Sequence, residues 1–344
     1  MRAWRVHRYG RPSEALQLDE ISDPVPGVGE LLVRTTASVL NYNEVDGCYG
    51  RYLTINPPLP YTLGMELTGV VEAAGPGQES WLGRRVVTTA TGAFGAHAEL
   101  VACTADMTFD APEALPRADA AAFFFPFHLA WLGLHERGRL QAGETALVQA
   151  AAGGVGSAAV QLAVAAGARV IAVAGGERKT SLCKELGADV AVDHTSTDVL
   201  DAVNEATGGR GVDVVFDGVG GETFPTSIRC LARNGRHLMI GFAGGIEAED
   251  RRVIVPRPLM FGNVSVLGVL LAYSSDPAAA RAAAGVNLVP RAVGDAIHAA
   301  LISLLERGEI RAVIGNRVRF EDVPAALDAM DRRATTGRTI VEIG

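Results

Sequence analysis

The chain has 344 residues, 48% of them hydrophobic, with a formal net charge of −8, enough for two domains with separate cores. The acidic balance and the lack of a basic stripe argue against a nucleic-acid partner, whose phosphates need clustered Lys and Arg. No apolar run reaches about 18 residues, which argues against a membrane span.

Met1 to Gly10 is mixed and charged rather than a signal-peptide pattern. Cys48, Cys103, Cys183 and Cys230 have neither disulfide-dense nor metal-knuckle spacing, so a reducing, cytoplasmic setting is expected. The first part of the chain is β-rich. Ala3 to Val6, Leu31 to Leu40, Gly69 to Ala74, Arg85 to Thr89 and His97 to Ala102 are short apolar or alternating runs cut by Gly and Pro turns, which suggests a compact barrel-like domain.

From about Ala118 the texture becomes helical, and strand and helix then alternate as in a doubly wound parallel sheet. The apolar run Ala146-Leu147-Val148 leads into Gln149-Ala150-Ala151-Ala152-Gly153-Gly154-Val155-Gly156-Ser157 and the small-residue run Ala158 to Ala166. With Ala151 in the first glycine place, Gly153 and Gly156 keep the spacing of the dinucleotide-binding turn, where backbone N–H groups meet a pyrophosphate. The next strand, Arg169 to Ala174, ends in Ala174-Gly175-Gly176, with no carboxylate at its tip to grip a ribose 2′-hydroxyl. Arg178 and Lys179 follow, and small residues plus cations suit a 2′-phosphate, so the expected cofactor is NADPH. Glu177-Arg178-Lys179 equally suits the solvated first turn of a helix.

Helices are expected around Thr180 to Leu186, Asp198 to Ala206, with Thr195 or Ser196 as cap, and Glu222 to Leu231. Val212 to Phe216, His237 to Ile240 and Val264 to Leu271 are near-continuous apolar runs, as strands buried on both faces should be. The last is long and apolar, and is expected near a sheet edge that a two-fold dimer would cover. The tail carries helices at Ala278 to Ala284, Val293 to Glu306 and Val323 to Arg332, then a strand from Thr339 to Ile343. It is expected to rejoin the first domain, giving a catalytic domain from residues 1–123 and 273–344 around a nucleotide-binding domain of residues 124–272.

Several motifs together resemble the medium-chain dehydrogenase/reductase superfamily and, within it, the zinc-free NADPH:quinone oxidoreductase group. They are Val39-Leu40-Asn41-Tyr42-Asn43 with Gly50-Arg51-Tyr52, Leu63-Gly64-Met65-Glu66-Leu67-Thr68-Gly69-Val70-Val71, the glycine turn, Asp217-Gly218-Val219-Gly220, and Arg333-Ala334-Thr335-Thr336-Gly337. The resemblance implies an α/β chain: a GroES-like β-rich catalytic domain plus a Rossmann doubly wound parallel-sheet domain. It also implies a homodimer and hydride transfer from NADPH to a quinone or α,β-unsaturated carbonyl. Zinc-dependent members need a Cys and a His in the first domain. Here Asn41 lies in the stretch of that Cys and Met65 fills the place of that His, so no metal is expected; thioether sulfur substitutes poorly for imidazole on zinc.

By the same resemblance Asn41 faces nicotinamide and substrate, where its amide can donate to a carbonyl oxygen and accept from the carboxamide or ribose. Tyr52 matches a tyrosine at the pocket entrance and can donate its hydroxyl to the acceptor. Lys179 faces the 2′-phosphate beside the small Gly175, His194 stands where relatives carry a tyrosine, and Arg333, flanked by Arg332 and near Arg338, reaches the same ribose-phosphate. Ala152, Gly153, Gly154 and Val155 hold the pyrophosphate, and Val219 and Phe242 complete the cofactor set. Plainer roles also fit: a turn for Asn41, packing against Pro57 and Pro58 for Tyr52, and a solvent-facing strand end for His194. Leu129 departs from the family threonine that bonds the nicotinamide side, and the aromatic cluster Phe123 to Trp131 suits a core. Two alternative functions fit: an enoyl-thioester reductase, since Leu40-Asn41-Tyr42-Asn43 is similar to enoyl-CoA and polyketide enoyl reductases, and a non-catalytic NADPH-binding protein.

Overall fold

A computed structural model describes residues 1–51, 56–244 and 254–343. The chain divides into two units, one formed by Met1–Phe124, Ala272–Ser303 and Ile314–Gly344, the other by Phe125–Leu271 and Leu304–Val313. Among the described residues, no helix is long and apolar enough to cross a membrane.

The first unit is built on strands, in chain order β1 (Arg2–Val6), β2 (Leu16–Glu20), β3 (Glu30–Val39), β4 (Tyr61–Thr62), β5 (Glu66–Ala74), β6 (Arg85–Thr89), β7 (Leu100–Thr104) and β8 (Phe109–Asp110). In β3, Leu31, Val33, Thr35 and Ala37 alternate inward, the period-2 signature of a strand with one face on a core. The expected strand from His97 begins instead at Leu100, because His97 is held in the preceding turn by its N–H to the Leu63 carbonyl, 2.9 Å. That turn lies so close to Gly64 that a Cβ there would meet the His97 nitrogen at 2.5 Å.

In the second unit, β9 (Thr145–Val148), β10 (Arg169–Ala174), β11 (Val190–Asp193), β12 (Val212–Asp217), β13 (Leu231–Met239) and β14 (Ser265–Gly268) form one parallel sheet. Its order, β11-β10-β9-β12-β13-β14, is the doubly wound order whose switch point falls between the first strand and the fourth, here β9 and β12. Leu147, Ile171, Val173, Val192, Val203, Val212, Val215 and Cys230 form a core in this unit. As expected, β14 lies at the sheet edge, but it ends at Gly268 rather than Leu271.

The later part of the first unit adds β15 (Tyr273–Ser274), β16 (Val289–Pro290), β17 (Ile314–Arg319) and β18 (Arg338–Glu342). β17, β18, β3, β5, β6 and β8 lie in that order in a seven-stranded sheet, with β7 also paired to β3. The antiparallel register places Val39 opposite Ile340, and Leu40 N–H bonds the Thr339 carbonyl at 3.0 Å. The same register, continued, sets Asn41 against Arg338, while Val39 faces Glu66 of β5 on its other side.

Two local expectations need correction. Asp198, not Thr195 or Ser196, caps the helix Val199–Thr207, its carboxylate accepting from Asp201 N–H at 3.0 Å. The chain turns first at Asp193, whose carbonyl takes the Ser196 and Thr197 N–H groups. The expected helix Glu222 to Leu231 is a short 3₁₀ turn, Gly221–Thr223, then a helix Phe224–Arg229, and Leu231 already opens β13.

Candidate active site

In the second unit, the C-terminal ends of β9 and β12 carry the candidate dinucleotide turn. After β9 the chain passes Ala150 at φ +49° and enters the helix Gly154–Ala165 with Gly153 as N-cap. A Cβ on Gly156 would lie 2.2 Å from the Ala150 carbonyl oxygen, so only glycine lets the helix start this close to the turn. Ala152 is buried and Gly153, Gly154 and Val155 are half-buried, which leaves the first-turn N–H groups, without intrahelical partners, as an anion cradle.

Across the switch point, Asp217 organises the neighbouring loop. Its Oδ1 accepts from the N–H groups of Val219 and Gly220 at 2.9 and 3.0 Å; its Oδ2 accepts from Ser227 at 3.2 Å and pairs with His237 at 3.0 Å. Burial works to raise the Asp217 pKa, but the hydrogen bond and charge of His237, with the two loop N–H groups, hold it below its ordinary value. The Ala243 and Gly244 N–H groups bond the Gly218 and Val219 carbonyls, which brings Phe242 beside this loop.

The tip of β10 is the third part. Gly175 lies against His194, whose Nε2 would be 3.0 Å from a Cβ at that position. Lys179 stands half-buried in the first turn of the helix Glu177–Glu185, and His194 is exposed. A carboxylate does lie nearby: Asp193, at the end of β11, accepts from Gly176 N–H, Thr195 N–H and the Thr195 hydroxyl at 2.9, 2.9 and 2.7 Å. Those bonds hold its pKa down to about 2 and commit Oδ1 to shaping the turn.

In the first unit, Asn41 is the N-cap residue of the helix Tyr42–Cys48 and is only 9% exposed. Its Oδ1 accepts from Arg338 Nη1 at 3.1 Å, and its Nδ2 donates to the Val39 carbonyl at 3.2 Å and to Glu44 Oε1 at 3.4 Å. Arg338 also forms a buried ion pair with Glu66. Burial pushes the Arg338 pKa down to about 10, against the pull of the Glu44 charge. His97, fully buried, joins Glu44 Oε2 at 2.9 Å to the Ser38 hydroxyl at 2.8 Å. Met65 is buried, its N–H bonded to Glu44 Oε1 at 3.1 Å.

Arg333 belongs to this first unit, at φ +58°, with its guanidinium 3.8 Å from the centre of the Tyr42 ring. Tyr52 lies outside the described residues. Phe123, Phe124, Phe127, His128 and Leu129 are buried, which accounts for the aromatic cluster as core. No group of three or more His, Cys, Asp or Glu side chains that could hold a metal occurs among the described residues. Sequence reasoning missed the roles of Glu44, His97, Arg338 and Asp193. The spacing of Asn41 and Glu44 is an N-terminal capping signature that was readable, whereas Arg338 is 297 residues from its partner Asn41.

Residues 27–113 match the alcohol dehydrogenase GroES-like domain and residues 154–284 the zinc-binding dehydrogenase domain. The chain is 32% identical to a quinone oxidoreductase of Sus scrofa over 345 residues, 99% of this chain and 97% of that protein. It is 37% identical over 259 residues to a mycocerosic acid synthase-like polyketide synthase of Mycobacterium tuberculosis, covering 74% of this chain but 12% of that much longer protein. The fold superposes on the crystal structure of Escherichia coli quinone oxidoreductase complexed with NADPH with a TM-score of 0.86 and 28% identity over the full length of both chains. The β-rich unit is thus the GroES-like part of the fold, and the parallel sheet its Rossmann part.

Proposed function

Because the chain belongs to the quinone oxidoreductase group of the medium-chain dehydrogenase/reductase superfamily, we propose that this NADPH-dependent oxidoreductase acts without zinc on quinones or α,β-unsaturated carbonyls. The switch-point turn carries the reading. Gly156 can only be glycine there, and a turn of that shape serves backbone approach to a pyrophosphate. The β10 tip supports NADPH: Asp193 beside it is committed through Oδ1 to Gly176 and Thr195, while Lys179 and small Gly175 suit a 2′-phosphate.

The residues present fit this cofactor. In this reading Ala152, Gly153, Gly154 and Val155 would hold the pyrophosphate, Lys179 and His194 the 2′-phosphate, and Val219 and Phe242 would flank the rest. When bound, NADPH supplies a hydride from its nicotinamide ring to an electron-poor carbon. Asn41 orients the reacting partners, and Tyr52 is the proposed proton donor to the acceptor oxygen. Zinc independence is supported by Asn41 and Met65, which occupy the places of Cys and His ligands and are both bonded to Glu44. Residues 1–123 and 273–344 form the catalytic domain in this reading, and residues 124–272 the NADPH domain. The edge position of β14 supports a homodimer that extends the sheet, and the free cysteines Cys48, Cys103, Cys183 and Cys230 support a reducing, cytoplasmic setting.

The test is NADPH oxidation across a panel of quinones, enals, enones and enoyl-CoA thioesters, with metal content measured on the same protein. Turnover of quinones or enones by zinc-free protein is expected. Stoichiometric zinc together with activity lost to chelators overturns zinc independence. The polyketide synthase match favours a second reading, enoyl-thioester reduction, and turnover of enoyl-CoA with none of quinones would select it.

A further inference from the structure

From the bonds around Asn41 we infer that Glu44 is a positioning residue that locks the Asn41 side chain with its oxygen presented and its nitrogen turned inward. Asn41 then serves as a hydrogen-bond acceptor and not as the donor to the substrate carbonyl. The inference deepens the reading of Asn41 as a group facing cofactor or substrate, and it rests on that reading.

An ionised carboxylate accepts at about four lone-pair sites and donates at none. Glu44 is fully buried, and four donors converge on it. Oε2 takes Asn41 N–H at 3.1 Å and His97 Nε2 at 2.9 Å; Oε1 takes Met65 N–H at 3.1 Å and Asn41 Nδ2 at 3.4 Å. Two of these donors are backbone N–H groups, which have no alternative role. With Nε2 of His97 donating to Glu44, its Nδ1 accepts from the Ser38 hydroxyl at 2.8 Å.

The amide of Asn41 is therefore fixed from both ends. A guanidinium has no acceptor, so the atom facing Arg338 Nη1 at 3.1 Å is the amide oxygen. The nitrogen on the other side has two hydrogens, and Val39 carbonyl and Glu44 take both. Rotating the amide would press an NH₂ against a buried guanidinium and an oxygen against a buried carboxylate. Any contact Asn41 makes to a ligand is therefore through Oδ1, which accepts, and its match is an N–H or O–H such as a carboxamide or a ribose hydroxyl. The developing oxyanion of a reduced carbonyl needs its donor elsewhere.

Two measurements test this. In the wild-type protein, the Asn41 side-chain amide signals are assigned through their backbone and followed by hydrogen exchange, with and without NADPH and an enone. Both protons are expected to exchange about tenfold or more slowly than those of exposed asparagines and to keep their shifts when the enone is added. Exchange at the exposed rate, or shifts that follow the enone, overturns the inference. The second measurement is Glu44→Gln, which removes one of the two acceptor oxygens. Exchange of the Asn41 amide protons should quicken and kcat/KM should fall, each by about tenfold or more. Exchange as slow as in the wild type with activity lost overturns the inference, because Glu44 would then not be what holds the amide. If the wild type reduces no acceptor at all, the proposed reaction fails, while amide exchange still decides the role of Glu44.

Discussion

The surroundings of Asn41 and the tip of β10 solve the problem of placing polar groups in opposite ways. Around Asn41, two carboxylates, a guanidinium and an imidazole are 5% exposed or less, and each is held by named partners. At the β10 tip the geometry comes from backbone and small residues, and the cation Lys179 sits at a half-open surface. In a low-dielectric interior every charge needs its complement, and the loss of one member strands the others. At a surface, water and ions compensate, so a substitution there alters ligand recognition while the fold persists.

The contrast is broken hardest at Arg338. Arg338→Met leaves Glu66 buried without its cation, and a loss of about 3–5 kcal/mol in urea unfolding is expected. Combining it with Glu66→Gln should return much of that stability; a double variant as unstable as the single would remove the pair from the account. Gly156→Val comes next, since its side chain would start 2.2 Å from the Ala150 oxygen. Overpacking of this kind costs about 1–3 kcal/mol, and NADPH titration should show binding lost even where the protein remains folded. Unchanged NADPH affinity would dissociate the turn from the cofactor.

Lys179→Ala should leave unfolding unchanged and weaken NADPH roughly tenfold to a hundredfold, the value of a charge-assisted hydrogen bond, with NADH little affected. Equal loss for both cofactors in parallel titrations would take Lys179 out of the phosphate site. The smallest effect is expected at Asp193. Its pKa is held down to about 2 in the folded chain, so its contribution is complete above the ordinary carboxylate range near about 4 and lost as pH falls toward about 2. Asp193→Asn should flatten this acid limb in a pH series of melting temperatures and change little at neutral pH; an unaltered limb would remove Asp193 as its source.

What was legible in the sequence follows the same division. β10 was read to the residue, Arg169 to Ala174, because it is an apolar run closed by glycines, and the glycine turn was read because its logic is local in the chain. β2 and β17 escaped notice because their burial is partial and their sequences, Leu16–Glu20 and Ile314–Arg319, mix charge with apolar residues. The buried network escaped for another reason. His97 and Glu44 are 53 residues apart, and Arg338 meets Asn41 and Glu66 only through strand register. Composition and spacing carry no trace of a contact made by pairing β18 against β3.

That pairing also sets an order of events during synthesis. The parallel-sheet unit draws its sheet from residues 145–268, whereas the unit holding Asn41 needs strands from both ends of the chain. Domains fold largely as they emerge, and contacts between distant residues are slow to form. The parallel sheet can therefore assemble on the ribosome first, while Glu66 and Asn41 wait for Arg338 to be made. The nucleotide sheet can form before Arg338 is made, and the buried polar site cannot.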